Sequence, residues 1–168
     1  SAIRAYLKVS LPSAAIVWSE WWAFEVLGLL VGLTPQADVN IAAHATMFNV
    51  IVIFYMAFTG ASNALCTLTG NALGERRNQD IPVLLRAALK LVVVVSLVVA
   101  VGYEAIKGFV AASFTEDPRV QDVIRTSSIG VVLSVPPYAL LMTFFGALRG
   151  ANRQRPGITA TLVGYWVI

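Results

Sequence analysis

Apolar residues in this chain gather into five long runs separated by short polar links. They extend from about Leu11 to Leu33, Ala42 to Leu65, Leu84 to Tyr103 and Val123 to Leu148, with a fifth from Ile158 that is cut off at Ile168. Each of the first four has roughly 20 or more residues, the length a helix needs to cross a hydrocarbon core of about 30 Å. A barrel strand would show only about ten residues of alternating character. The pattern therefore predicts an all-α fold: a polytopic transmembrane helix bundle with about four full spans and a truncated fifth.

The links carry turn chemistry. Thr34-Pro35-Gln36-Ala37-Asp38 breaks the chain after the first run, and Gly70 to Asn78 joins the second to the third. Thr115-Glu116-Asp117-Pro118 follows the third, and Gly150 to Pro156 follows the fourth. With no low-complexity linker, residues 1–168 read as a single, partial transmembrane domain. Pro136-Pro137 interrupts the fourth run and should bend it, freeing backbone carbonyls of the kind that often mark transport sites.

Composition strengthens the membrane reading. The 168 residues are 58% hydrophobic and 12% charged, whereas soluble domains are nearer to about 25% charged. Ser1 and Ile168 do not look like natural termini, so an internal fragment of a larger protein is expected. No signal peptide is visible. The single cysteine, Cys66, excludes an internal disulfide and reads as a small packing residue.

The net charge of +3 follows loop position. With the first run starting in the cytoplasm, that side receives nine basic residues: Arg4, Lys8, Arg76, Arg77, Arg86, Lys90, Arg149, Arg153 and Arg155. The other side receives three, Lys107, Arg119 and Arg125, together with Asp38, Glu104, Glu116, Asp117 and Asp122. Such an imbalance fits the positive-inside rule. No aromatic platform interleaves with the basic residues, which speaks against nucleic-acid binding.

Two carboxylates stand out against this background. Glu20 and Glu25 lie well inside the first run, in Trp18-Ser19-Glu20-Trp21-Trp22-Ala23-Phe24-Glu25. A charge at the centre of a span costs roughly 3 kcal/mol on insertion scales, so such groups usually face the protein interior or a wet cavity. Five residues at about 100° each separate the two by roughly 140° around the axis. One can line a central cavity while the other meets an adjacent helix. Glu25 falls on the Trp21 and Trp22 side, and Glu20 near Ile16, Val17, Ala23 and Phe24. A carboxyl in apolar surroundings can exchange a proton for a cation, and neighbouring aromatics suit an organic cation. The alternative for each is a carboxyl that merely hydrogen-bonds a neighbouring helix, with the aromatics as packing or interface residues.

Other polar residues are weaker signals. His44 reads as an interfacial histidine, and Asn49 and Asn63 as amides joining helices. Gly28 with Gly32, and Gly146 with Gly150, have the spacing of close helix packing.

Together these residues resemble the multidrug and toxic compound extrusion family, MATE, in the second half of its eukaryotic branch. The resemblance rests on EWWAFE from Glu20 to Glu25, GNALG from Gly70 to Gly74 and LRGANRQ from Leu148 to Gln154. In order and position these match the seventh to the start of the eleventh helix of that twelve-helix family. It implies the C-terminal lobe of a proton-coupled antiporter exporting organic cations or xenobiotics by alternating access, with Glu20 and Glu25 as proton and cation sites. It also implies a missing N-terminal lobe as partner, and a multi-pass protein of the plasma or vacuolar membrane. No cofactor and no metal are implied. Three positions depart from the family. An acidic residue is replaced by Asn49 on the second run and by Tyr138 on the fourth, and an arginine by Leu68. The candidate proton- and substrate-binding set is thus Glu20, Glu25, Trp21, Asn49 and Tyr138.

Two rivals compete with this reading. A serine hydrolase using Ser62 and His44 fails on geometry, because 18 residues on one helix separate them by about 27 Å. Gly70 to Gly74 lacks the lysine and spacing of a P-loop. No zinc-ligand cluster is present either, so an enzyme is not expected. The alternative is a truncated, non-transporting membrane fragment or helix-packing partner.

Overall fold

The computed structural model describes residues 2–166. Ser1 and Ile168, named above as chain ends, lie outside the described residues, as do the side chains of Arg4, Lys8, Ile16, Arg155 and Ile158. The described chain is helical, with five α-helices: α1 (Ala2–Val31), α2 (Ala37–Gly74), α3 (Ile81–Phe114), α4 (Pro118–Gly150) and α5 (Arg155–Trp166). A single 3₁₀ turn, Asn78–Asp80, precedes α3.

α2, α3 and α4 each contain one apolar run of the sequence and overshoot it, whereas α1 ends at Val31, short of the Leu33 end of the first run. The second run covers about Ala42 to Leu65, whereas α2 has 38 residues and includes Asp38, Asn40 and Asn71. The overshoot arises because α-helical hydrogen bonds are satisfied within the segment, so a helix can continue past the apolar residues into water. Among the described residues, three helical stretches are long and apolar enough to cross a membrane: Ala37–Gly74, Asn78–Phe114 and Pro118–Gly150. The 30-residue α1 also has the length to do so. The described part of α5 has 12 residues.

The helix ends follow local rules. Asp117 caps α4 by accepting a hydrogen bond from the Arg119 backbone N–H at 2.9 Å, with Pro118 at the first helical position. At the far end of α2, Arg76 adopts a left-handed conformation with φ 59°, and Arg77 N–H reaches back to Ala72 O at 2.7 Å. Asn152, with φ 54°, does the same after α4, where Arg153 N–H bonds Leu148 O at 2.8 Å. Both are Schellman-type closures, in which residues in the left-handed conformation satisfy the last carbonyls. α4 stays helical through Pro136 and Pro137. The expected interruption is therefore a local loss of two N–H donors within a continuous helix.

The main packing is between α2 and α4, then between α3 and α4. Three apolar clusters follow one another along α2. Val39 and Ala43 meet Ala111, Val120 and Ile124. Val50 meets Tyr103 and Val131. Tyr55 and Phe58 meet Val92, Val135, Tyr138, Ala139, Met142 and Phe145. Beyond them, towards Gly74, the seam narrows to small residues. A Cβ added to Gly146 would stand 2.4 Å from the Ser62 carbonyl oxygen, and one on Gly150 would stand 2.5 Å from that of Cys66. Ser62 Oγ donates across the seam to Met142 O at 2.6 Å. Gly146 and Gly150 thus act as the packing pair their spacing predicts. Gly28 makes only ordinary contact, with the His44 ring at 3.7 Å.

α1 packs more with α5 than with α2, and Trp166 Nε1 donates to Ser19 Oγ at 2.9 Å. Because α2 and α4 run parallel, their C-terminal ends bring Arg76, Arg77 and Arg153 to one end of the bundle. Glu104, Lys107, Asp117 and Arg119 gather at the other, where Ser128 Oγ bridges Glu104 and Lys107 at 3.1 Å each. These described members of the two charge groups therefore lie at opposite ends of the bundle.

Candidate functional site

Three helical stripes face one another where α1 lies over the α2–α4 pair. From α1 come Val17, Glu20, Trp21 and Phe24; from α2, Phe48, Val52, Tyr55, Met56 and Thr59; from α4, Tyr138, Met142, Phe145 and Arg149. The α4 set recurs at i, i+4, i+7 and i+11, the spacing of a single helix face. Together they enclose a cavity of about 210 Å³.

The walls are aromatic. Tyr55 and Tyr138 stack with ring centroids 3.5 Å apart and planes 9° from parallel. Phe24 tilts against Phe48 at 5.4 Å and against Tyr55 at 6.1 Å. Trp21 meets Phe48 edge-on at 6.2 Å. Such rings present negative faces to a cation as well as apolar surface.

Glu20 is the acid in this cavity. It is 6% exposed, and the Tyr138 hydroxyl faces its carboxyl. Its Oε1 is buried with no hydrogen-bond partner among the described residues. Buried polar atoms are nearly always paired, so an unpaired carboxylate oxygen aimed at a cavity is an unused acceptor for a proton or a donor-bearing ligand.

The five candidate residues divide. Glu20, Trp21 and Tyr138 come together in the cavity. Glu25 and Asn49 are exposed and do not line it. Glu20 is the carboxylate that lines the cavity, whereas Glu25, for which contact with an adjacent helix was the other expectation, is exposed. Trp21 faces the cavity beside Glu20, although its position groups it with Glu25, while Trp22 is 63% exposed. The reason is that the cavity spans an arc wide enough to take in consecutive residues at about 100° spacing.

Sequence reasoning missed the α2 wall and Arg149. Phe48, Val52, Tyr55 and Thr59 recur at near-helical spacing, and that stripe was the available signal. Arg149 was counted as a loop charge. It lies on α4 and lines the cavity, and its Nη2 donates to Ser62 Oγ at 2.9 Å and to Asn63 Oδ1 at 3.2 Å. Asn63 thus joins two helices as expected. Ser62 and His44 are both on α2, and Ser62 is occupied at the α4 seam. Among the described residues, no group of three or more His, Cys, Asp or Glu could hold a metal ion.

Comparison with known proteins gives a consistent family. "Multidrug and toxin extrusion protein 1" of Danio rerio is 29% identical over 98% of this chain, and its Homo sapiens counterpart is also 29% identical over 98%. "Protein DETOXIFICATION 1" of Arabidopsis thaliana is 25% identical over the full chain. The chain spans 28% of the length of the first two and 35% of the third. No solved structure matches the chain. The MatE family model matches residues 12–168, almost the whole sequence, and the chain belongs to the MatE family.

Proposed function

We propose that this chain is part of a proton-coupled antiporter that exports organic cations, and that Glu20 is its exchange site. The observation that carries the reading is the buried Glu20 carboxyl, with one oxygen unpaired, in the wall of an aromatic cavity. In a low-dielectric surround, a bare carboxylate is costly and must be neutralised. A proton and an organic cation can each do this, but one carboxylate cannot hold both as counterions. Occupation by one therefore releases the other, and a transmembrane proton gradient can drive the cation out. Tyr55, Tyr138, Phe24 and Trp21 supply faces for the cation and exclude water. The remaining helices of a full transporter, including an N-terminal lobe, would complete the path. The host would be a plasma or vacuolar membrane, with the basic end of the bundle in the cytoplasm.

The test is efflux of ethidium by the full-length transporter in vesicles carrying an imposed proton gradient. Glu20→Gln should abolish gradient-dependent efflux, and Glu25→Gln should retain most of it. Unchanged efflux in Glu20→Gln would exclude the mechanism. Loss in Glu25→Gln alone would move the exchange site to the exposed carboxylate.

A further inference from the structure

Arg149 is not needed for proton–cation exchange, and its surroundings do not use it fully. The guanidinium lines the same cavity as Glu20. Its Nη2 is fixed by Ser62 Oγ and Asn63 Oδ1, which set the orientation of the planar group. Its Nε is buried and has no hydrogen-bond partner among the described residues. Arg149 also forms none of the ion pairs found among the described residues. A purely structural bridge between α2 and α4 accounts for Nη2. It leaves a buried N–H unsatisfied, which is costly. The guanidinium offers its donors in a rigid fork that matches a carboxylate.

The separation of the two charged groups sets the size of a ligand that could meet both. Ser62, which holds the guanidinium, is seven residues beyond Tyr55 on α2, or about 10 Å along the axis. Tyr55 stacks on Tyr138, whose hydroxyl faces Glu20. Between the two ends lie Met142 and Phe145, an apolar stretch of wall.

We propose that Arg149 is an anion anchor. The cavity takes a zwitterion with an aromatic body and charges about 10 Å apart, its ammonium at Glu20 and its carboxylate on the Nε side of Arg149. This rests on the reading of the cavity as a cation site and adds a second point of recognition at its other end. The anchor selects among cations: a ligand with a carboxylate at the right distance satisfies Nε, and one without it leaves that donor buried and bare.

A matched pair of probes tests the proposal in the full-length transporter in lipid nanodiscs, by isothermal titration. One is an aminomethyl-biphenyl carboxylate with its charged groups at opposite ends; the other is its uncharged carboxamide. The wild type should bind the carboxylate about tenfold more tightly, as expected for a charge-assisted hydrogen bond. Arg149→Gln should remove the preference while still binding both probes. Arg149→Lys should keep part of it, which guards against a simple folding defect. Equal affinities in the wild type, or a preference that survives Arg149→Gln, would overturn the anchor and leave the cation site standing. Failure of the wild type to bind either probe would overturn both.

Discussion

Gly146 and Ser62 are pressed together so closely that a single methyl group on Gly146 would lie 2.4 Å from the Ser62 carbonyl oxygen. This contact holds α2 against α4 at the level where Arg149 enters the cavity. Lipid offers little hydrophobic drive for helix association, so backbone-close packing of this kind is a main source of cohesion. Gly146→Ala should destabilise the bundle by roughly 1–3 kcal/mol through overpacking. Gly130→Ala, on the same helix with open space around it, should leave stability unchanged or slightly raised. Denaturant titration in micelles compares the two, and equal effects would refute the seam.

The Tyr55–Tyr138 stack makes a second prediction. Tyr138→Phe keeps the ring and removes the hydroxyl that faces Glu20, whereas Tyr138→Leu removes the ring. Affinity for benzyltrimethylammonium should fall about tenfold in Tyr138→Leu, at the upper end of cation–π energies. It should fall much less in Tyr138→Phe, which should instead alter the pH dependence of binding. A similar loss in both variants would mean that the hydroxyl, not the ring, holds the cation.

Arg76 occupies a left-handed position in which a side chain is strained and which glycine usually fills. Arg76→Gly should therefore stabilise the chain by roughly 0.5–1 kcal/mol, the relieved strain less the added entropy of the unfolded chain. Asn152→Gly, at the equivalent position after α4, should do less, because asparagine tolerates this conformation. Thermal unfolding of the two variants gives the ranking.

At the opposite end, the Arg119 side chain, together with its backbone N–H, holds the Asp117 carboxyl below the usual aspartate range. A carboxyl whose pKa is depressed on folding stabilises the fold above its unfolded pKa, and that contribution is lost as the pH falls through the folded value. The difference in unfolding midpoint between the wild type and Asp117→Asn should thus be constant above about pH 4, near the unfolded aspartate value. It should shrink as the medium is acidified further. A difference independent of pH would show that the cap acts without its charge.

The helices themselves were legible in the chain. Runs of 20 or so apolar residues have no alternative to helix in a bilayer, because the backbone must be satisfied within the segment. Their ends were misplaced for the same reason, since a self-satisfied helix continues into polar sequence such as Asp38 to Ala42. The angle between Glu20 and Glu25 also followed from helical geometry alone. Which of them meets a cavity did not, because that depends on where α2 and α4 come to rest against α1.

The sequence by itself thus determined an all-α membrane bundle, the grouping of its loop charges, and a short list of polar residues set within apolar runs. Each of these is a property of one helix or one loop. Only the tertiary structure decided that Glu20 and not Glu25 lines the cavity, that Tyr55 stacks on Tyr138, and that Arg149 turns inward rather than serving as a loop charge. These are relations between stripes on separate helices. They are set by the small-residue seam of Ser62, Cys66, Gly146 and Gly150, which fixes how closely α2 and α4 approach and so which side chains share the space under α1.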